Sequence, residues 1–434
     1  MIDGPLIVGA GPVGLSAALL ARARGLPAHV VEHLPAGAAK PGSRAIFLHR
    51  QTIQTLAAAA PGLADRMVRE GLVWAGRATY WAGRRVHHRR HAPMPAGLAP
   101  YVCLPQPRVE TLMRETAVRA GVTFAWHARA DEVTLLDDSV LVRATDGRQW
   151  CAAFVVAADG AGSTVRRRLG IRMDGDARGH AFVVVDVADD PARPLPAERV
   201  FHYRHPRAAG RNVLVVPFAG GHRVDLQCRA DDDPAALAAD PSAWLRPLLP
   251  AGHAGEITWS SHYLFRQAVA ETFTSGRVLL AGEAAHLFAP FGARGLNSGI
   301  ADAAAAVEAI ASVVQAGLVR PRAAFGTDGS GASFGADGPG TVLGADGSDA
   351  ALGADGSDAV LGALAGYDRV RRAAAERNRV AAGKALAHLT AAGPHRRAAQ
   401  RAAAVAARVL PRAGAWLDRR PFGPRDAGIP GSLY

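Results

Sequence analysis

Apolar positions in the first 35 residues change their period twice. Residues 5–9 (PLIVG) form a continuous apolar run of strand length. From Leu15 through Ala18 and Leu19 the spacing becomes helical, with Gly25 as the stop, and His29 to Glu32 is again a short strand-like run. A second unit of this kind lies at Arg277 to Gly299. There a β-branched and leucine run (Val278 to Ala281) ends at a Gly-Glu corner and crosses a Pro/Gly loop. It then enters a helical pattern through Ile300, Ala303, Ala304, Val307, Ile310, Ala311 and Val314. Between the two, a helix is predicted from about Thr52 to Ala59 and another after Gln106-Pro107. The second carries Val109, Leu112, Met113, Thr116, Ala117 and Ala120 on one face. Strands are expected over 72–91 and near 122–127, 132–136, 140–145 and 151–158.

Residues 178–265 differ in character. Alternating runs at Ala181–Val187, Val200–Tyr203, Val213–Phe218, Arg223–Cys228 and Ile257–Leu264, joined by Pro/Asp-rich connections, predict an antiparallel sheet inserted into the first domain. Beyond 322 the chain reads GTDGSGASF, GADGPGTVL, GADGSDAAL and GADGSDAVL over residues 326–361. Gly-x-Asp-x-apolar units of this length resemble calcium-binding nonapeptides, but the paired glycine is absent, and the expectation is a flexible acidic insertion. An Ala/Arg-rich helical region (363–412) and a Pro/Gly-rich tail follow.

Three strand-to-helix junctions carry candidate chemistry. Gly9-Ala10-Gly11-Pro12-Val13-Gly14 stands between strand and helix, and Glu32 ends the next strand. Gly9 permits the turn, Gly11 a close backbone approach to a pyrophosphate and Gly14 helix-on-sheet packing, while Glu32 is placed to accept ribose hydroxyls. Asp159-Gly160-Ala161-Gly162-Ser163-Thr164-Val165-Arg166 makes a second corner, with Ser163 expected to cap a helix. Gly282-Glu283-Ala284-Ala285-His286, Pro290, Gly292 and Arg294-Gly295-Leu296-Asn297 make the third.

Composition narrows the classes. The 434 residues are 49% hydrophobic, which excludes global disorder. The formal charge of +12 comes from scattered arginines, with only Lys40 and Lys384 as lysines, and no basic stripe with interleaved aromatics argues for nucleic acid. Cys103, Cys151 and Cys228 are too far apart for a C-x-x-C pair, so no disulfide framework and no zinc site is expected. The cluster His87-His88-Arg89-Arg90-His91 lacks a carboxylate or cysteine nearby in sequence and is expected to be a solvated basic loop without metal. A first strand close to Met1 leaves no room for a signal peptide and no apolar run reaches about 18 residues, so a cytoplasmic protein without a membrane span is expected.

Together the three junctions resemble the fingerprints of the FAD-dependent aromatic hydroxylases, single-component flavoprotein monooxygenases of the 4-hydroxybenzoate 3-hydroxylase type. The resemblance covers residues 4–322 and, more weakly, 363–410, where Tyr367-Asp368-Arg369-Val370-Arg371-Arg372 is similar to the family's helix after the flavin loop. It implies an α/β fold: a Rossmann-like FAD-binding domain in three parts (1–75, 106–175, 269–322), a mostly antiparallel substrate domain (76–105, 176–268), the repeat insertion (323–362) and C-terminal helices and tail (363–434). Gly9, Gly11, Pro12, Gly14, Glu32, Arg44, Gln106, Asp159, Arg166, Gly282, Glu283, Pro290, Gly295, Leu296 and Asn297 would contact FAD. Asp159 and Arg166 would also meet a transient NADH or NADPH. Pro290 and Arg44 would flank the reacting centre, Pro290 beside the flavin C4a where O2 is captured as a hydroperoxide before transfer to an aromatic or polyketide-like ring. A flavin reductase or dehydrogenase without oxygen insertion, and a flavin-binding protein that has lost catalysis, are the alternatives. The family has Asp where this chain has Glu283. His286 is expected to be structural. Tyr203, His202, Phe218 and His262 all fall on the inserted sheet, and none stands out as a phenol base.

Overall fold

A computed structural model describes residues 1–38, 46–91, 99, 101–319, 354–391 and 393–422. In chain order the first elements are β1 (Leu6–Val8), α1 (Pro12–Ala23), β2 (His29–Val31), β3 (Phe47–His49), α2 (Arg50–Ala59) and α3 (Pro61–Glu70). Pro12 occupies the first turn of α1, where its missing N–H costs nothing. The sequence reading omitted α3, whose Leu63, Ala64 and Met67 bury one narrow face; α2 ends at Ala59, Ala60 caps both helices and Pro61 starts α3. Next come β4 (Gly76–Trp81), β5 (Arg84–Arg90), β6 (Tyr101–Cys103), α4 (Gln106–Arg119), β7 (Thr123–Ala125), β8 (Ala130–Leu135), β9 (Val140–Ala144), β10 (Gln149–Ala152) and β11 (Val155–Ala157). The single strand expected at 151–158 is thus two, because the chain leaves a small antiparallel sheet (β10 with β9) and joins the large parallel one (β11 with β1) within three residues.

After the short helix α5 (Thr164–Arg168), β12 (Met173–Ala188), β13 (Glu198–Tyr203), β14 (Val213–Phe218) and β15 (Gly221–Gln227) build the second large sheet. Helices α6 (Pro234–Ala239) and α7 (Ser242–Leu245) precede β16 (Ile257–Ala270). The chain then returns through β17 (Thr274–Ser275), β18 (Val278–Leu280), β19 (His286–Leu287) and α8 (Arg294–Gln315). It ends in α9 (Ala354–Leu389), which begins within the fourth nonapeptide, α10 (Pro394–Ala406) and α11 (Pro411–Arg419). The rest of the nonapeptide array up to 353 lies outside the described residues.

Two sheets organise the molecule. One runs β17-β18-β11-β1-β2-β7, with β18, β11, β1, β2 and β7 mutually parallel; the other runs β19-β16-β12-β15-β14-β13-β4-β5, antiparallel except where β4 lies parallel to β13. The mixed α/β architecture with an inserted, mostly antiparallel sheet agrees with the sequence reading. Helices α1 and α8 pack on the parallel sheet, burying Leu15, Ala18, Leu19, Ile300, Ala303 and Val307 with Ile7, Val156 and Leu279. Alone among the described helices, α8 is long and apolar enough to span a membrane, yet 61% of that stretch is buried in the protein, as the central helix of a core must be.

Of the histidine cluster, His87 to Arg90 lie on β5 and not in a loop, and His91 directly follows the strand. His88 reaches Glu198 at 3.1 Å and His87 faces the buried Asp418, so carboxylate partners exist that are remote in sequence. No group of three potential ligands able to hold a metal occurs among the described residues, and the three cysteines are free.

Candidate functional site

The register of the parallel sheet decides where the three junctions meet. Val8 pairs with Ala157 and Ala157 with Leu280, so β1, β11 and β18 end at the same level and deliver Gly9, Asp159 and Gly282 side by side. Carboxyl ends of adjacent parallel strands, with neighbouring connections diverging, are where nucleotides bind in such sheets. Close packing enforces the approach. Gly9 has φ +105°, and a Cβ there would stand 2.4 Å from the Ala158 oxygen. A Cβ on Gly14 would stand 1.9 Å from the Gly9 oxygen. Gly282 (φ +64°) and Gly299 both leave room for the Val13 side chain, which any Cβ would meet at 2.9 and 2.6 Å. These glycines bring the start of α1 against the start of α8.

In the first junction, Gly11 is the N-cap of α1 and no side chain caps that helix, so its first N–H groups are left for a ligand. Glu32 is 3% exposed and turned inward: its carboxylate accepts the Ala10 N–H at 2.7 Å and the Leu34 N–H at 3.0 Å, bracing the glycine loop.

The second junction is folded on itself. Ser163 Oγ caps α5 by accepting the Arg166 N–H at 3.0 Å, as expected, and donates to Asp159 at 2.6 Å, while the Val165 N–H donates to the same carboxylate at 3.1 Å. Burial pushes the Asp159 carboxyl up, and those bonds oppose the rise. Arg166 is buried and donates to the Ala284 carbonyl at 3.0 Å, fastening this junction to the third.

The third junction hangs on a residue the sequence reading did not single out. Asp302, one face of α8 further on and fully buried, accepts the Gly282 N–H at 3.1 Å, His286 Nε2 at 2.6 Å and Arg371 Nε at 2.7 Å. Burial acts to raise its carboxyl, but His286 and Arg371 together hold it below the usual range. His286 is therefore structural, stacked on Phe288 at 4.5 Å. Tyr367 and Asp368 complete the clasp from α9, donating to the Leu280 carbonyl at 2.6 Å and accepting the Phe273 N–H at 2.6 Å. A lone Asp in an alanine-rich helix gave no sequence signal. Glu283 is solvent-exposed, yet protein around it pushes its carboxyl up by burial, against His286 and the Ala161 backbone.

At the head of α8, Ala293 adopts φ +52°, a left-handed conformation that costs a non-glycine residue about 1 kcal/mol. Asn297 holds it there. Its amide donates to the Ala293 carbonyl at 2.7 Å and to the Phe47 carbonyl at 3.0 Å. Its oxygen accepts the His49 N–H at 2.9 Å and Thr52 Oγ1 at 2.6 Å. All four bonding positions of that amide are used, so the side chain is a clamp between β3, α2 and α8. Among the described residues no side chain caps α8, and a Cβ on part-buried Gly295 would meet nothing within 4 Å, so the helix start is open at Gly295 while Leu296 packs against the core. Pro290 is exposed at the loop before it. Gln106 begins α4 and donates to Glu110 at 2.8 Å. Arg44 lies outside the described residues.

The second sheet turns one face toward this loop. Phe291 packs its ring edge against Phe182 at 5.7 Å and Phe265 at 5.3 Å. By the strand alternation, that face also carries Val184, Asp186, Arg223, Asp225, Leu214, Val216, Trp259 and Tyr263. Tyr203 shares the face but is buried under the C-terminal helices, bonded to His388 at 2.9 Å and to the Leu417 carbonyl at 2.8 Å. His262 alternates onto the opposite face and is exposed. Phe218 closes the far end with Trp74 and Tyr101. His202 stacks on Tyr80 at 4.8 Å.

These residues fit a bound dinucleotide: glycines where side chains would collide, two uncapped helix starts and an exposed carboxylate beside them. The sequence pattern of the FAD binding domain family matches residues 5–318. The chain is similar to 6-methylpretetramide 4-monooxygenase of Streptomyces rimosus, 31% identical over 328 residues that cover 72% of this chain and 57% of that protein. It is similar to 3-(3-hydroxy-phenyl)propionate/3-hydroxycinnamic acid hydroxylase of Burkholderia cenocepacia, 31% identical over 342 residues covering 72% and 58%. The chain spans little more than half the length of these two relatives. Among solved structures, p-nitrophenol 4-monooxygenase from Pseudomonas putida shares the fold at a TM-score of 0.72 and 23% identity, over 98% of this chain and 99% of that one. A ternary complex of aklavinone-11 hydroxylase with FAD and aklavinone aligns with a TM-score of 0.61 at 25% identity, over 73% of this chain and 64% of the other.

Proposed function

The chain belongs to the FAD binding domain family, and on that premise we propose that it is an NAD(P)H-dependent flavoprotein monooxygenase placing one oxygen atom of O2 on an electron-rich aromatic or polyketide-like ring. The observation that carries this reading is the alignment of three glycine-rich junctions at one level of a parallel sheet, facing a wall of aromatic and acidic side chains. Bound FAD supplies the store for a hydride's electron pair and the activation of O2 for transfer to the ring.

The residues divide the remaining work. Gly9, Gly11, Pro12 and Gly14 bring backbone to the pyrophosphate, and the uncapped start of α1 favours its charge. Glu32 fixes that loop and offers its carboxylate to the ribose. Gly282 and Glu283 hold the ribityl chain, with Glu283 kept in place by the Ala161 backbone. Gly295 and Leu296 present backbone N–H groups at the uncapped start of α8, whose dipole stabilises negative charge on a reduced ring. Asn297 acts by pinning that helix start, and Arg166 by tying the second junction to the third. Asp159 and Arg166 are the candidates for meeting the nicotinamide, Gln106 for the flavin, and Pro290 and Arg44 for the edge of the reacting centre. Phe182, Phe265 and Phe291 pack loop against sheet and would keep water from that side of the site.

The test is reconstitution of the purified protein with FAD, followed by NADH or NADPH oxidation and O2 consumption with a panel of phenols. Ring-stimulated oxidation with O2 uptake and a hydroxylated product is the expected result. Bound FAD with no ring stimulation would overturn the oxygenase assignment, and a protein that takes up no FAD would overturn the cofactor site.

A further inference from the structure

The sheet face turned toward the Phe291 loop contains, among the described residues, one carboxyl group that makes no hydrogen bond. Two packed zones cover the ends of this face. Phe182, Phe201, Tyr203 and Phe265 lie under α9 and the Phe291 loop at one end, and Trp74, Tyr101, Val216 and Phe218 pack together at the other. Leu214 touches both zones, and Asp225 stands directly across from it on β15, with Val184 on its other side. The Asp225 Oδ1 atom is inaccessible to solvent and has no hydrogen-bond partner among the described residues. The residue as a whole is part-exposed, as are Leu214, Gln227, Trp259 and Tyr263 around it, so solvent reaches this strip.

The charges beside Asp225 are already balanced against each other. Arg223 makes two bonds to Asp186, at 2.7 and 2.8 Å, and lies 5.2 Å from the Trp259 ring. Arg77 and Arg199, further along the face, pair with Asp418 at 2.8 and 3.0 Å. The groups facing Asp225 are thus Arg223, Asp186 and the Tyr263 phenol. An anionic substituent would meet carboxylates here and no uncommitted cation among these arginines, whereas an uncharged ring bearing O–H would bring a donor to the Asp225 carboxylate.

We propose that Asp225 is the acceptor in this wall for the hydroxyl of a neutral hydroxyarene, taking its proton, and that the wall disfavours substrates bearing a carboxylate in this strip. The inference rests on the monooxygenase reading and names the substrate class of that site. In the step, the arene O–H bond breaks, its electron pair stays on the arene oxygen, and the proton forms a new O–H bond on the part-exposed Asp225 carboxylate; on product release it passes to water. No oxidant or reductant enters. A phenolate donates electron density into its ring, which is what an electrophilic oxygen requires. Burial pushes the Asp225 carboxyl up to about 7, against Arg223 and with Asp186 adding to the rise. That brings it within about 3 units of an ordinary phenol, where a solvent carboxylate lies about 6 units away, so roughly 1000-fold more phenolate forms.

The probe is 4-nitrophenol, whose visible absorbance reports its ionisation, titrated into the FAD-loaded protein across pH without NAD(P)H. The wild type is expected to bind it as the phenolate and to bind 3-methylphenol at least ~10-fold more tightly than 3-hydroxybenzoate, the size of one hydrogen bond to a charged group. Asp225→Asn should bind the probe ~10-fold more weakly and leave it neutral, and Asp225→Glu should restore ionisation in part, which a merely structural role would not do. An Asp225→Asn protein that binds and ionises the probe as the wild type does overturns the assignment; so does a preference for the carboxylate. These readouts need no turnover, so a protein that consumes no O2 with any phenol refutes the oxygenase reading separately.

Discussion

Replacing Asp302 with Ala removes three interactions at once. The Gly282 N–H loses its acceptor, His286 Nε2 loses a 2.6 Å partner and Arg371 loses a 2.7 Å ion pair, all around a carboxylate with no solvent access. Deleting one partner of a buried ion pair costs roughly 3–5 kcal/mol, and an orphaned backbone donor costs roughly 1–3 kcal/mol. Arg371 keeps a 3.3 Å bond to the Ser298 carbonyl and is partly reached by water, which places the total near the lower end, about 4 kcal/mol. The loss is not only global, because Gly282 and Glu283 are the residues Asp302 steadies. FAD affinity should fall by at least ~10-fold, equivalent to about 1.4 kcal/mol of that total. Urea unfolding of the apoprotein and fluorescence titration with FAD measure the two effects. An Asp302→Ala protein within about 1 kcal/mol of the wild type that binds FAD equally well would refute the view that this carboxylate organises the third junction.

Four further outcomes are expected. Gly14→Ala, whose Cβ would stand 1.9 Å from the Gly9 oxygen, should abolish FAD binding in the same titration even if the protein folds. Glu283→Gln should weaken FAD roughly 10-fold, while Glu283→Asp, which keeps the charge, should stay within about 3-fold. Burial, helped by Arg420 and Arg396, lowers His388 to about 4, so the folded protein resists a proton that the unfolded chain accepts near 6.5. Stability is full above 6.5 and falls by about 3 kcal/mol as pH drops toward 4, and His388→Gln should flatten that acid limb in urea melts at pH 7 and 4.5. For Asp225 the sign is opposite: its carboxyl is raised, the cost of ionising it builds from about 4 to about 7, and Asp225→Asn should be more stable than the wild type at pH 8 by up to about 4 kcal/mol and no more stable at pH 4.

The parts of the site legible in sequence are those made by backbone. Gly9, Gly14 and Gly282 are where a Cβ cannot stand, so the motif and the steric constraint are the same fact. Strand ends at Val8, Ala157 and Leu280 followed from apolar runs stopped by Gly or Asp, and Ser163 capped its helix as its position implied. Residues that act across the fold were silent. Asp302 reads as one polar residue on an alanine helix, and only the packing of α9 on α8 supplies Arg371 as its partner. Asp225 reads as the polar half of an alternating strand, and its unused oxygen becomes visible only once Leu214, Val184 and Tyr263 surround it. His87 and His88 were assigned to a loop because their carboxylates, Asp418 and Glu198, lie more than a hundred residues away.

The Asp418 carboxylate has a consequence for how the protein is made. It joins Thr79 across 339 positions and Arg199 across 219, and it also neutralises Arg77. On the ribosome, the whole second sheet has emerged before α11 exists, and until it arrives two guanidiniums occupy positions that become almost solvent-free. Docking of α11 is then a late, long-range closure that converts a loose sheet into a finished wall, and chains caught before it would expose Tyr203, Leu386 and Leu389 to chaperones or to one another.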